Sequence, residues 1–299
     1  MKIAVIQARP GIGDVLVFLP YVHLIAKNKK SKVYLFTKKR TVAHELLKYD
    51  PYVEEVIYLD REPNKINFNL IKDMKIRGIE TAYIMHFGFR YIFLCLLSRV
   101  RKINFYGIFR KKVSITKFIS YKTAKWLGIS DLVINPHLYW NIVSETKKQV
   151  VIGIGGSGSN KKWPIEYYAE LITLINNFDS KYKILIAGGP EEINDFEILS
   201  RKYNLKNLIN LCNLNIPQAI NAILGSKIYV GNDTGFMHVC GSLGIKTFGI
   251  FGDTPSDYCA YNNKIIPIMP IGYSQVNFND NAMNLIKPDF VFNEIVQNI

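Results

Sequence analysis

Three groups of residues in this sequence have the types and spacing that chemistry on a phosphate-bearing ligand requires. The first is Asp233-Thr234-Gly235, with His238 about one helical turn after Thr234 and an apolar run ending near Val230 just before it. A strand feeding a polar turn and then a helix gathers polar groups at the strand's carboxyl end, where open α/β sheets bind ligands. The helix start adds unpaired N–H groups and a positive dipole end suited to an anion. Glycines at 231, 241, 244, 249 and 252 let backbone approach a ligand closely.

The second group runs Gly155-Gly156-Ser157-Gly158-Ser159 and continues Asn160-Lys161-Lys162-Trp163-Pro164. A small-residue loop entering a helix can wrap an oxyanion with backbone N–H groups while a lysine adds a point charge, and Trp163 and Pro164 would hold such a loop in place. The third, Gly11-Ile12-Gly13-Asp14, sets a carboxylate at a helix start. Plainer readings stand beside these. Asp14 and Asp233 could each serve only as a helix N-cap, and a lone helical His238 is usually a packed or capping residue.

Other chemistries are excluded by spacing. From Gly11 a dinucleotide fingerprint needs glycine at position 16, which is Leu16, and the loop at 155–159 lacks the Walker arrangement. No D-x-D motif and no Ser/His/Asp nucleophile set is evident. Cys95, Cys212, Cys240 and Cys259 are far apart and show no metal-ligand spacing, so they read as buried thiols, and no metal site is expected.

Short apolar strands alternate with amphipathic helices, which implies parallel, doubly wound sheets. In the first half, strands are expected at residues 3–7, 32–36, 56–59, 81–85 and 103–106, and helices at 15–27, 43–49, 67–77, 89–98 and 115–127. The periodicity weakens at 128–148, which reads as a link. It restarts with strands at 150–154, 183–187, 226–230 and 246–251 and helices at 164–178, 191–203, 216–224 and 236–243; 288–299 reads as a closing helix. The expected domains are 1–140 and 149–285, with 286–299 packing back toward the first.

With 48% hydrophobic and 21% charged residues and no low-complexity tract, the 299-residue chain is globular rather than disordered. No signal-peptide core or bilayer-spanning run is visible, so the protein is expected to be cytoplasmic. The net charge of +14 is concentrated early, at Lys27, Lys29, Lys30, Lys32, Lys38, Lys39 and Arg40, and at Arg99, Arg101, Lys102, Arg110, Lys111 and Lys112. Such clusters are either a solvated surface or a means of attracting an anionic partner. Nucleic acid is not the expected partner, because no helix-turn-helix, zinc-finger or RNP pattern accompanies the charge.

These motifs together resemble glycosyltransferase family 9, the ADP-heptose:lipopolysaccharide heptosyltransferases. Asp233-Thr-Gly-Phe-Met-His238 with Gly252-Asp-Thr254-Pro255 looks like the D-[TS]-G-x-x-H and F-G-x-T-x-P signatures. Gly13-Asp14 with Leu19-Pro20 resembles the amino-terminal motif, Lys161-Lys-Trp163-Pro164 the K-x-W-P segment, and Gly188-Gly189-Pro190-Glu191 the second-strand turn. The chain is somewhat shorter than typical members, and Cys240-Gly241 replaces the usual small pair after the histidine.

The resemblance implies an α/β GT-B fold of two Rossmann-like domains facing across a cleft. It also implies metal-independent, inverting transfer of a heptose from an ADP-sugar to a lipopolysaccharide inner-core acceptor. Asp14 would be the general base and Lys161 would stabilise the departing diphosphate. Gly156, Ser157, Lys161, Glu191, Asp233, Thr234, Gly235 and His238 would bind the donor, with Glu191 or Glu192 reaching the ribose. Gly13, Lys38, Arg40 and Arg99 would serve an anionic, lipid-linked acceptor, and the basic clusters suit peripheral contact with the inner face of the cytoplasmic membrane. Two alternatives accompany this reading: transfer of another nucleotide-linked sugar to a capsule or surface glycan, and non-catalytic binding of a nucleotide sugar or polyanion.

Overall fold

A computed structural model describes residues 1–60, 68–109, 114–130, 132–140, 145–156, 158–205 and 207–299, with backbone alone at Ser159. The chain divides into two compact units, Met1–Trp140 and Asn141–Ile299. Arg110, Lys111, Lys112 and Ser157, singled out above, lie outside the described residues.

In the first unit the elements run β1 (Ile3–Ile6), α1 (Ile12–Asn28), β2 (Val33–Thr37), α2 (Ala43–Leu46), β3 (Val53–Tyr58), α3 (Phe68–Ile76), β4 (Thr81–Phe87), α4 (Arg90–Leu97), β5 (Lys102–Gly107) and α5 (Ile115–Leu127). The strands pair in the order β3-β2-β1-β4-β5, all parallel. A core on one face of this sheet packs Leu70, Ile71 and Met74 of α3 and Tyr91, Leu94 and Cys95 of α4 against Ile6, Phe36 and Ile84. Helix α1 packs against α5, and its run from Val15 to His23 is buried without interruption, as expected of a helix enclosed on more than one side.

Helix α1 starts three residues earlier than the hydrophobic period predicts. Gly11 occupies the cap position, and Asp14 accepts a hydrogen bond from the Gly11 N–H at 3.0 Å. Gly13 and Asp14 are thus in the first helical turn, so Asp14 is not itself the N-cap.

The second unit runs β6 (Gln149–Gly153), α6 (Ile165–Phe178), β7 (Lys183–Ala187), α7 (Ile193–Glu197), β8 (Leu208–Asn210), α8 (Ile216–Ile223), β9 (Ile228–Asn232), α9 (Gly235–Ser242), β10 (Lys246–Ile250), β11 (Ile265–Ile268) and α10 (Pro288–Ile295). Its order, β11-β10-β9-β6-β7-β8, places the first strand of the unit, β6, beside β9. Strand order reverses there, which is the place a doubly wound sheet reserves for its ligand. Pro164 caps α6 rather than beginning it. The helix expected over 191–203 is instead a 3₁₀ turn, a short α7 and a π segment over Ile198–Lys202. The closing helix α10, expected to pack toward the first domain, lays Val291 and Ile295 into the second unit's own core and packs on α6.

Two glycines fix the β6–β9 seam. Gly153 and Gly231 face each other across it, and Gly231 has φ +158. A Cβ on Gly153 would lie 1.8 Å from Tyr229 Oη, and one on Gly231 would lie 2.2 Å from the Gly153 carbonyl oxygen. The buried Tyr229 ring occupies the space a Gly153 side chain would need, and the Gly153 backbone itself occupies the space at Gly231.

Candidate functional site

Three loops meet at the carboxyl end of β6, β7 and β9. A side chain on Gly155 would come within 3.7 Å of Gly188 Cα and of Thr234 Cγ2, and within 3.6 Å of Glu192 Oε2. The tie between them is Asn232, whose side chain is fully buried. Its amide donates to the carbonyls of Ile154 at 3.2 Å and Gly155 at 2.8 Å, while its Oδ1 accepts the Trp163 N–H at 3.0 Å. One side chain therefore fixes the end of β9, the small-residue loop and the entry to α6. Trp163 is buried and gives its indole N–H to the Ile286 carbonyl at 2.8 Å, which holds the other side of that loop.

The two lysines of this segment are used differently. Lys162 Nζ lies 2.9 Å from Glu192 and 3.0 Å from Asp195. Burial works against its charge, but the two carboxylates outweigh burial and raise its pKa. Glu192 is buried, and its other oxygen accepts the Gly189 N–H at 2.8 Å. Glu192 is thus committed to the loop, whereas Glu191 is exposed. Lys161, next in line, is half-buried and lies over the Phe278 ring at 5.7 Å. Among the described residues no carboxylate pairs with it.

Helix α9 begins at Gly235 with Thr234 as its cap residue, and the Thr234 side chain does not cap its first N–H groups. Instead, Thr234 Oγ1 lies 3.4 Å from Tyr229 Oη, whose hydroxyl also donates to the Asn232 carbonyl at 3.0 Å. The N–H groups at the start of α9 thus keep their capacity for an anion. Both ring nitrogens of buried His238 are occupied: Nε2 lies 3.4 Å from Asp233 Oδ1 and Nδ1 lies 2.9 Å from Tyr261 Oη. That sets His238 between Asp233 and Tyr261 as a strut for Asp233. All four cysteines are buried and unpaired, and burial pushes the Cys212 thiol up to about 11. Among the described residues no three His, Cys, Asp or Glu side chains stand close enough to hold a metal ion.

In the first unit, Asp14 stands near the carboxyl end of β1. Its Oδ1 is 2.5 Å from Arg9 Nε and its Oδ2 takes the Gly11 N–H, which fixes the carboxylate while each oxygen keeps a further lone pair. His86 lies near the end of the neighbouring strand β4. Burial first, then the charges of Arg90, Arg9 and Lys38, lower its pKa, so these three cations and the imidazole surround the same edge. Lys38 is half-buried and Arg40 exposed beyond β2, at this carboxyl edge too. Arg99 is elsewhere. It precedes β5, and in a parallel sheet the start of β5 lies at the edge opposite the end of β1. Its expected grouping with Gly13, Lys38 and Arg40 does not occur.

Sequence reading missed Asn232, Tyr261, Arg9 and His86. Position alone could have flagged Arg9 and His86, since Arg9 follows β1 and His86 is in the last residues of the adjacent β4, both at the carboxyl edge. Tyr261 carries no local signal, being 23 residues from the histidine it supports.

The profile of Glycosyltransferase family 9 (heptosyltransferase) matches residues 130–284. A lipooligosaccharide heptosyltransferase 2 of Campylobacter jejuni serotype O:6 is 33% identical over 119 residues, 38% of this chain and 36% of that relative. The chain thus aligns with only about a third of that protein's length. The lipooligosaccharide heptosyltransferase 2 of C. jejuni serotype O:2 is 25% identical over 81% of this chain and 78% of its own. Among solved structures, the ADP-heptose lipopolysaccharide heptosyltransferase II of E. coli superposes with a TM-score of 0.77 at 19% identity, covering 99% of this chain and 98% of that one. That likeness establishes the GT-B fold.

Proposed function

The chain belongs to glycosyltransferase family 9, and from that premise we propose that it moves a heptose from an ADP-sugar to the inner core of a lipopolysaccharide or a similar glycan, inverting the anomeric carbon. The observation that carries the reading is that among the described residues no carboxylate pairs with the Lys161 ammonium, whereas two carboxylates neutralise Lys162 beside it. A cation with no carboxylate partner among the described residues, on a loop tied to a helix start that the Thr234 side chain does not cap, suits a leaving diphosphate.

As the acceptor hydroxyl oxygen bonds to the anomeric carbon, its proton passes to Asp14. The bond from that carbon to the diphosphate breaks, and ADP leaves with the electron pair. Lys161 and the N–H groups at the start of α9 take up the charge that develops on the leaving oxygen. Gly156 and Ser157 border the diphosphate, Glu191 the ribose, and Asp233, Thr234 and Gly235 complete the donor pocket, with His238 holding Asp233. Gly13, Lys38 and Arg40 serve the acceptor, and Arg9 keeps the Asp14 carboxylate in place.

Replacing Asp14 by Asn tests the assignment. Transfer is expected to fall by about 10²- to 10⁴-fold, the range typical of a general base, while the rise in melting temperature on adding ADP-sugar persists. Unchanged turnover would remove Asp14 from this role. Screening ADP-heptose against UDP- and GDP-sugars by the same thermal shift tests the donor; a larger shift with a UDP- or GDP-sugar would replace ADP-heptose in the reading.

A further inference from the structure

Beyond β11 the chain returns to the carboxyl edge of the second sheet on a loop whose shape its own polar residues fix. The run is Asn277-Phe278-Asn279-Asp280-Asn281. Asp280 accepts the Asn277 N–H at 2.8 Å. Asn279 and Asn281 have φ +70 and +51, left-handed values that asparagine tolerates better than most residues. One end of the loop is anchored by fully buried Val276. The other is tied beyond the end of β10, where the Asn281 N–H donates to Asp253 at 3.0 Å and the Ala282 N–H to the Gly252 carbonyl at 2.8 Å.

Phe278 is the only apolar residue in that run, and it is 53% exposed. Its ring stands at 81° to that of Tyr258, with 6.1 Å between centroids, and the Lys161 ammonium lies over it at 5.7 Å. A loop rooted beyond the end of β10 thus carries an exposed aromatic ring to the lysine that precedes α6. A single exposed phenylalanine is ordinary on a surface. One held by a hydrogen-bonded loop against the cation assigned to the diphosphate has a definite place in the donor site.

Strand order gives that place a direction along the donor. Strand β7, which leads to Glu191, lies on one side of the β6–β9 pair and β10 on the other. With the ribose at Glu191 and the diphosphate at Lys161 and the start of α9, the nucleotide lies on the β7 side and the transferred sugar extends toward β10. We propose that Phe278 is a specificity-determining residue for the donor, its ring lying against the C–H face of the sugar that is transferred. The face of an aromatic ring carries partial negative charge and attracts polarised C–H groups, as it attracts the edge of another ring. Binding sites commonly pair such an apolar surface with a few polar groups that fix orientation. Here Lys161 and Glu191 hold the nucleotide, and Phe278 favours a sugar that presents an apolar face. The inference rests on the proposed reaction and adds to it the residue that meets the sugar.

Isothermal titration of the full chain with ADP and with ADP-heptose tests it, because a ring at the sugar separates the two ligands. Phe278→Ala should weaken ADP-heptose binding about three- to tenfold, the range expected for one lost aromatic contact, and leave ADP binding within about twofold. Phe278→Tyr keeps the ring and should recover most of the loss. Without ligand, Phe278→Ala should melt within about 2 °C of the unaltered chain, because half of the side chain is already exposed. Equal affinity of Phe278→Ala and the unaltered chain for ADP-heptose would overturn the inference. So would an equal loss for ADP and ADP-heptose, which would put the ring at the adenine or make it only a support for Lys161. Both of those outcomes leave the proposed reaction standing. Failure of the unaltered chain to bind ADP-heptose would instead refute the proposed donor. If a UDP- or GDP-sugar binds in its place, the same comparison with UDP or GDP alone decides the role of Phe278.

Discussion

Exchanging Lys161 and Lys162 in turn for methionine should separate two jobs that adjacent, identical side chains perform. At Lys161 the cost is electrostatic and appears in the reaction. A unit charge about 4 Å from a diphosphate oxygen is worth about 4 kcal/mol at an effective dielectric constant near 20. Lys161 is only half-buried, and solvent screening brings this to about 2 kcal/mol, roughly 30-fold in kcat/KM. Stability should barely move, because methionine keeps the aliphatic stem and a sulfur contact with Phe278 in place of the cation over its ring. At Lys162 the cost is structural. Buried Glu192 loses the ammonium at 2.9 Å and Asp195 the one at 3.0 Å, and stranding a buried carboxylate costs about 3–5 kcal/mol when the pair is fully enclosed. Lys162 is 31% exposed, so about 2 kcal/mol is the better figure, which for a unit of this size lowers the melting temperature by about 4–8 °C. Steady-state transfer assays and thermal melts on both variants decide the matter. The reasoning fails if Lys161→Met melts several degrees early, or if Lys162→Met depresses kcat/KM the more of the two while melting normally.

Asn232→Asp keeps the acceptor for the Trp163 N–H but turns a carboxylate oxygen toward the Ile154 and Gly155 carbonyls. A loss of about 3 kcal/mol or more is expected in urea unfolding, from two lost donors and an uncompensated buried charge; a loss under about 1 kcal/mol would mean Asn232 is not the tie it looks to be. The pH dependence has a definite sign. Burial, with nearby positive charge, lowers the pKa of His86, and burial lowers that of His137, whereas an unfolded histidine titrates near about 6.5. The unfolded state therefore binds protons that the native state does not, so the stability these two groups confer is present above about pH 6.5 and is lost as pH falls through their lowered native pKa values. His86→Gln with His137→Gln should flatten the fall in unfolding free energy between about pH 7.5 and 5.5, and an unaltered slope would contradict the assignment.

The alternation of apolar runs and amphipathic helices was enough to identify nine of the eleven strands among the described residues, because most are four to seven residues of Val, Ile, Leu and aromatic side chains between polar turns. The two it missed have physical excuses. Strand β8 is three residues long, too short to carry a period. Strand β11 contains Pro267, which reads against a strand and is tolerated because β11 lies at the sheet edge. The Asp233-to-His238 motif was legible because its residues are local. Its supports were not: Asn232 binds partners 69 to 78 residues away, and while the K-x-W-P resemblance singles out Lys161, the physical difference from Lys162 arises only when Glu192 and Asp195 are brought to Lys162.

The same limit explains Arg99. Charge read along a sequence joins it to Lys38 and Arg40 as one basic supply, but a parallel sheet sorts residues by the edge on which they emerge. Residues at the end of a strand or just after it reach the carboxyl edge, as His86 at the end of β4, Arg9 after β1 and Lys38 after β2 do. Residues that precede one reach the other edge, as Arg99 and Arg101 do before β5. One excess of cations is thereby divided into two populations. One has carboxylates of its own, with Arg9 held at 2.5 Å from Asp14 and Lys38 4.0 Å from Asp60. The other borders exposed phenylalanines and leucines with little acid nearby. Neutralising Lys38 and neutralising Arg101 should consequently have different effects although both remove one positive charge: in assays of transfer to a soluble acceptor the first should change the rate and the second should leave it unaltered.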